Sequence, residues 1–123
     1  ILGTGGASKA VAFALKSMNI KIKFVSREPK NENTYIYESL TAEHISAHQL
    51  IINCTPLGTH PNTELYPPIP FHGVTKNHLL FDLVYNPNRT QFLNLGKKYN
   101  ANTQNGLKML KLQAEKSWEI WNS

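Results

Sequence analysis

The chain has 123 residues, 41% hydrophobic and 17% charged, with a formal net charge of +5. That is enough material for one core and too little for two. The charge excess invites a nucleic-acid reading, but the lysines are scattered, with no dense basic run and no base-stacking module. No stretch reaches the ~18 consecutive apolar residues of a membrane span, so a cytoplasmic location is expected.

Ile1-Leu2 leads directly into Gly3-Thr4-Gly5-Gly6-Ala7-Ser8-Lys9-Ala10, a glycine-rich phosphate loop of the kind found between a strand and a helix. Buried strands usually run about five or six residues, so the sequence is expected to start inside its first strand, as a piece of a longer protein. Gly3 permits the tight turn, Gly5 lets backbone approach a pyrophosphate, and the third small position is Ser8 in place of glycine. A helix is predicted over Ala7 to Met18, with Val11, Ala14, Leu15 and Met18 inward, and a strand over Lys21 to Val25. This strand-loop-helix-strand order turns free helix amides toward the pyrophosphate.

At the end of that strand stands Ser26-Arg27-Glu28. A carboxylate at the second position would bind a ribose 2′-hydroxyl, whereas Arg27 pairs with a 2′-phosphate, which implies NADP as cofactor. Glu28, beside that phosphate, argues the other way unless it points aside or pairs with Lys30.

A short helix near Thr41 to His48 follows, then a strand at Leu50 to Asn53, a proline-rich loop from Thr55 to about Asn77, and a strand at Leu79 to Val84. His44 and His48, four apart, read as a solvated helix face, because no third metal ligand accompanies them. His60, His72 and His78 read as loop residues, and the lone Cys54 as a small strand residue. Ligands of doubly wound sheets bind beyond the carboxyl ends of the strands, so Asn53, Thr55, Leu83 and Tyr85 are expected to border the crevice. Thr90 is positioned to cap a helix through about Lys98, with Phe92 and Leu93 inward. After Asn105-Gly106 a longer helix is predicted, striped by Leu107, Leu110, Ala114, Trp118 and Trp121, with Gln113 beside the stripe.

Several segments together resemble the shikimate dehydrogenases, specifically their C-terminal NADP-binding domain. They are Gly3 to Ala10, Ser26-Arg27, Ile51-Ile52-Asn53-Cys54-Thr55-Pro56-Leu57-Gly58, Asp82-Leu83-Val84-Tyr85-Asn86-Pro87 and Gly106-Leu107-Lys108-Met109-Leu110-Lys111-Leu112-Gln113-Ala114, in family order along nearly the whole chain. The resemblance implies a doubly wound, Rossmann-like parallel α/β sheet of five or six strands with helices on both faces. It implies NADPH-dependent reduction of 3-dehydroshikimate to shikimate by an intact enzyme, a monomer or homodimer. Carried onto this sequence, Gly3, Thr4, Gly5, Gly6 and Ala7 hold the pyrophosphate, and Ser26 and Arg27 the 2′-phosphate. Asn53, Thr55, Leu83 and Gly106 border the nicotinamide, and Tyr85 and Gln113 reach the substrate.

The family's catalytic Lys and Asp belong to an N-terminal substrate domain without a counterpart here, so no catalytic residue and no metal ligand is assigned. Two departures stand out: Glu28 where a hydroxyl residue often assists phosphate binding, and Lys108 where glycine is common. The alternatives are an enzyme acting on quinate or using NAD, and a non-catalytic module that binds NADP(H).

Overall fold

The computed structural model describes residues 1–28 and 34–108. Helix α1 spans Gly6–Ser17, followed by β1 (Phe24–Ser26), β2 (Thr34–Ile36), a 3-10 turn (Tyr37–Ser39) and α2 (Ala42–Ala47). Then come β3 (Leu50–Asn53), a second 3-10 turn (Phe71–Gly73), β4 (Leu79–Asp82), α3 (Gln91–Lys98) and β5 (Asn102–Gln104).

All strand pairs are parallel. β1 pairs with β2, and β4 lies between β3 and β5. The leading segment Ile1-Leu2-Gly3 joins these two groups, because Leu2 bridges in parallel to both Val25 and Asn53. The bonds run from Leu2 N–H to the Ile52 carbonyl (2.8 Å), from Cys54 N–H to the Leu2 carbonyl (2.9 Å) and from Gly3 N–H to the Val25 carbonyl (2.8 Å). The order across the sheet is therefore β2, β1, leading segment, β3, β4, β5. Connections run one way from the leading segment to β1 and β2 and the other way to β3, β4 and β5, so the switch point lies between the leading segment and β3.

The core follows from short apolar strands in register. Ile51 and Leu80 are register partners, and they pack with Leu2, Val25, Ile45 of α2 and Phe92 and Leu93 of α3. On the other side of the sheet Ile22 and Ile52 share a groove with Leu15 of α1, so helices lie on both faces. Alternation of Ile51 and Ile52 serves both layers, which is why these strands read as continuous apolar runs rather than alternating ones.

The long proline-rich loop is an ordered part of this core. Pro67, Ile69, Phe71 and Val74 are buried, and the Phe71 ring meets Phe92 edge-on at 6.0 Å. His78, expected in a loop-like setting, is buried. Its Nε2 lies 2.7 Å from the Ile45 carbonyl, and its Nδ1 accepts the Thr75 amide at 3.0 Å. The neutral tautomer thus ties the start of β4 to α2. His44 likewise does more than face solvent: its Nδ1 accepts the Thr41 amide (3.1 Å) in a capping box, and its ring stacks on Tyr35 at 4.6 Å.

Helix α1 departs from the predicted stripe. Ser8 and Ala12 are buried and Val11 and Leu15 half-buried, whereas Ala14 and Met18 are exposed. The first strand after it begins at Phe24 rather than Lys21, and the strand at Leu79 ends at Asp82, short of Val84. Leu110, Ala114, Trp118 and Trp121 of the final stripe lie outside the described residues, as does Lys30.

Candidate functional site

The carboxyl ends of the leading segment, β1 and β3 meet at the switch point. Gly3 leaves the sheet with φ +106°, in the left-handed region that favours glycine. A Cβ there would sit 3.2 Å from Thr55 Cγ2 and 3.5 Å from the Thr55 amide nitrogen. The two loops that flank the crevice are therefore packed on one another through a missing side chain. Gly5 caps α1 with extended backbone and no side-chain acceptor, and the first turn has no acidic residue. Hypothetical Cβ atoms on Gly5 and Gly6 meet nothing within 4 Å. An uncapped helix start with open space before it suits an anion.

Ser8 explains how this loop does without a third glycine. It is fully buried and donates its hydroxyl to the Gly5 carbonyl at 2.6 Å, so a small polar residue closes the turn from within. Thr4 is half-buried, and Gly5, Gly6 and Ala7 are exposed at the rim. At the end of β1 the Ser26 hydroxyl is buried and accepts the Glu28 amide (3.4 Å), which bends the chain and leaves Arg27 exposed. Among the described residues Arg27 has no carboxylate partner.

The nicotinamide side predicted from the sequence is built on a buried network. Asn53 Oδ1 accepts both the Thr55 amide (3.0 Å) and the Thr55 hydroxyl (2.6 Å), while its Nδ2 donates to Asp82 Oδ1 (3.1 Å). Asp82 Oδ1 also accepts the Val84 amide (3.0 Å), and Oδ2 accepts the Thr90 hydroxyl (2.6 Å). Thr90 in turn caps α3 by accepting the Leu93 amide at 3.3 Å. Asn53, Asp82 and Thr90 are all fully buried. Burial pushes the Asp82 carboxyl up, against the hydrogen bonds from Thr90, Val84 and Asn53 that hold it down.

One polar chain thus fixes the Asn53–Thr55 turn, the Leu83–Val84 turn and the start of α3. Leu83 donates its amide to the Asn53 carbonyl (3.1 Å) and is half-buried. Gly106 lies against it: a Cβ there would come within 2.2 Å of the Leu83 carbonyl oxygen, so only glycine fits. Tyr85 is 46% exposed. Gln113 lies outside the described residues. Cys54 is half-buried, and burial pushes its thiol up to about 11, the opposite of an activated nucleophile. Among the described residues no cluster of three or more His, Cys, Asp or Glu could hold a metal.

Asp82 and Thr90 were not singled out from the sequence as parts of the site. Their signal was a carboxylate ending an apolar strand, eight residues before a helix cap, with an Asn ending the neighbouring strand. Tyr37, in the 3-10 turn directly after β2, was also missed, because three residues of strand at Thr34–Ile36 are too few to stand out.

No family model matches the chain. Curated relatives do. A shikimate dehydrogenase (NADP(+)) of Methanococcus maripaludis strain S2 is 42% identical over 134 residues, covering 98% of this chain and 48% of that protein. Among solved structures, shikimate dehydrogenase 1 from Peptoclostridium difficile superposes with a TM-score of 0.82 at 38% identity, over 98% of this chain and 45% of that one. A shikimate dehydrogenase solved in complex with NADP+ gives a TM-score of 0.71 at 27% identity, over 98% of this chain and 47% of the other. The chain spans about half the length of the curated relatives it matches. Over nearly its whole length the chain is similar, in sequence and in fold, to about half of these shikimate dehydrogenases.

Proposed function

We propose that this chain is the NADP-binding domain of a shikimate dehydrogenase, working with an N-terminal substrate domain to interconvert 3-dehydroshikimate and shikimate. The observation that carries the reading is the switch-point crevice. There an uncapped helix start, a left-handed Gly3 in contact with Thr55, and the Ser26-Arg27 turn converge at the carboxyl ends of three adjacent strands. A dinucleotide fits that donor set from end to end. The α1 amides and Gly3, Thr4, Gly5, Gly6 and Ala7 bind the pyrophosphate, and Arg27 the 2′-phosphate as a charge-assisted pair with Ser26 shaping its turn.

On the other side Asn53, Thr55, Leu83 and Gly106 orient the nicotinamide end, with half-buried Leu83 offering an apolar face. The cofactor, when bound, supplies the hydride. Tyr85, its phenol open to solvent, offers a hydroxyl to the substrate from this side of the cleft, and Gln113 an amide. The chain's own part is to bind and orient, and the acid-base residues come from the substrate domain.

Glu28 favours a second reading, in which NAD is used, because a carboxylate beside a 2′-phosphate is repulsive. Calorimetric titration of the complete protein with NADP+ and NAD+, beside Arg27→Ala, separates the two. Under the first reading NADP+ binds more tightly and Arg27→Ala loses about tenfold or more, the value of a charge-assisted bidentate contact. NAD+ binding that exceeds NADP+ and is indifferent to Arg27→Ala would reverse the cofactor assignment.

A further inference from the structure

The 3-10 turn that follows β2 carries the one buried side-chain polar atom among the described residues that has no hydrogen-bond partner, the hydroxyl of Tyr37. Native structures rarely leave such a group unpaired, and each exception needs a reason. Register gives its position. Ser26 pairs with Ile36 at the ends of the parallel strands β1 and β2, so the residues that follow the two strand ends are Arg27 and Tyr37, the latter opening the 3-10 turn. The Tyr37 ring packs on the core formed by Val25 and its neighbours, which holds the phenol at the carboxyl edge of the sheet.

Electrostatics agrees with that placement. Burial pushes the phenol up to about 12, while the Arg27 guanidinium pulls it down and the Cys54 thiolate would push it further up. Glu28, meanwhile, can offer a phosphate no donor from its side chain, and its amide is committed to Ser26. The adenosine end of the site thus has a cation at Arg27 and the Ser26 hydroxyl, which accepts the Glu28 amide, at the turn itself, while a second hydroxyl, unpaired, stands just past the adjacent strand.

We propose that Tyr37 is a specificity residue for the phosphorylated ribose of the cofactor, donating its hydroxyl to the 2′-phosphate that Arg27 also binds. The inference rests on the dinucleotide-binding reading above. The hydroxyl is covered in this structure, so the contact forms as the phosphate displaces what covers it. The phenol remains a neutral donor throughout, and no proton is transferred. Because the donor is otherwise unpaired and kept from water, its bond to an anion meets no competition from solvent.

The test is Tyr37→Phe in the complete protein, which keeps the ring and removes the oxygen alone. Calorimetry with NADP+, with 2′,5′-ADP and with NAD+ is read beside thermal unfolding without nucleotide. The expected result is that NADP+ and 2′,5′-ADP weaken in parallel by about tenfold or more, NAD+ is unchanged, and the thermal midpoint is equal or higher because an unpaired buried group has gone. Unchanged NADP+ affinity, an equal loss for NAD+, or a lowered midpoint would each overturn the proposal; the last would reveal a structural partner for the hydroxyl. Failure of the unsubstituted protein to bind either dinucleotide would overturn the underlying reading as well, whereas binding that is indifferent to Tyr37→Phe sinks this inference alone.

Discussion

Thr90→Val tests whether the buried polar chain holds the crevice together. The substitution keeps the side chain's shape and removes one oxygen from a position fully closed to solvent. Two bonds go with it: the 2.6 Å donation to Asp82 Oδ2 and the 3.3 Å acceptance of the Leu93 amide that caps α3. A hydrogen bond to a charged group contributes about 1.5–3 kcal/mol, and a lost cap costs about 1. Together they predict destabilisation by about 2.5–4 kcal/mol at pH 7. For a domain of this size that lowers the thermal midpoint by roughly 10–15 °C.

The cost also depends on pH, with a sign fixed by the partner. Burial raises the Asp82 carboxyl above its ordinary value in the folded state. Between the unfolded and folded values the folded protein holds a proton that the unfolded chain has released, so this residue's contribution to stability is lost as pH rises through the folded value. Thr90 bonds the ionised form, and removing it raises the folded value further. The difference between wild type and Thr90→Val is therefore full above that value and shrinks as Asp82 protonates below it. Denaturant unfolding at pH 7 and near pH 4 measures both effects, with Thr90→Ser as the control that keeps the hydroxyl. A cost under about 1 kcal/mol, or the same cost at both pH values, would show that the Asp82 carboxylate is not what Thr90 holds.

Gly106→Ala should destabilise the domain by about 1–3 kcal/mol, since its Cβ meets backbone atoms of Leu83; a parallel fall in cofactor affinity, measured by titration, is expected because Leu83 must shift. Cys54, with its thiol pushed up to about 11 from the ordinary 9, should react with a thiol reagent at pH 8 about a hundredfold more slowly than a free cysteine, and rates near that of a free thiol would contradict its burial. The folded state keeps that proton where the unfolded chain has lost it, so Cys54 stabilises fully below pH 9 and the contribution, about 1 kcal/mol after allowance for partial exposure, disappears as pH rises through 11. Cys54→Ala should therefore flatten the alkaline limb of stability against pH.

Much of this fold is legible in the residues because its signals are local. The Leu50–Asn53 strand was bounded correctly, since four apolar or strand-ending residues sit between a helix and a proline-rich loop. Thr90 and the helix after it were found for the same reason, the cap and the inward Phe92 and Leu93 being adjacent in sequence. Elements made by tertiary pairing were not legible. The β2 strand, Thr34–Ile36, is three half-buried residues, and Asn102–Gln104 of β5 has no apolar residue at all. Each is a strand because a parallel neighbour supplies its hydrogen bonds. The α1 stripe went wrong in a related way: the helix approaches the sheet through Ser8 and Ala12, small residues that a count of large apolar side chains passes over.

The site divides along the same line. The half read from sequence as phosphate-binding consists of two short local motifs whose chemistry follows from residue type: glycines ahead of an uncapped helix, and an arginine at a strand end. Its supporting half is assembled from positions far apart in sequence, 29 residues from Asn53 to Asp82 and eight more to Thr90, and no spacing rule ties them. Yet the supporting half decides where the other half points. Asn53 spends its carbonyl on Thr55 and its amide on Asp82, so a residue read from sequence as a cofactor contact is first a bracket between two loops. Substituting Asn53 would then alter binding through the Thr55 turn as well as through any direct contact, and a loss of affinity there identifies a ligand only if the turn is shown to survive. Tyr37 poses the reverse case. Its ring packs against the core, and its hydroxyl has no hydrogen-bond partner among the described residues. Where side-chain atoms with no structural partner stand beside a binding crevice, removing them separates function from folding more cleanly than removing residues that serve both.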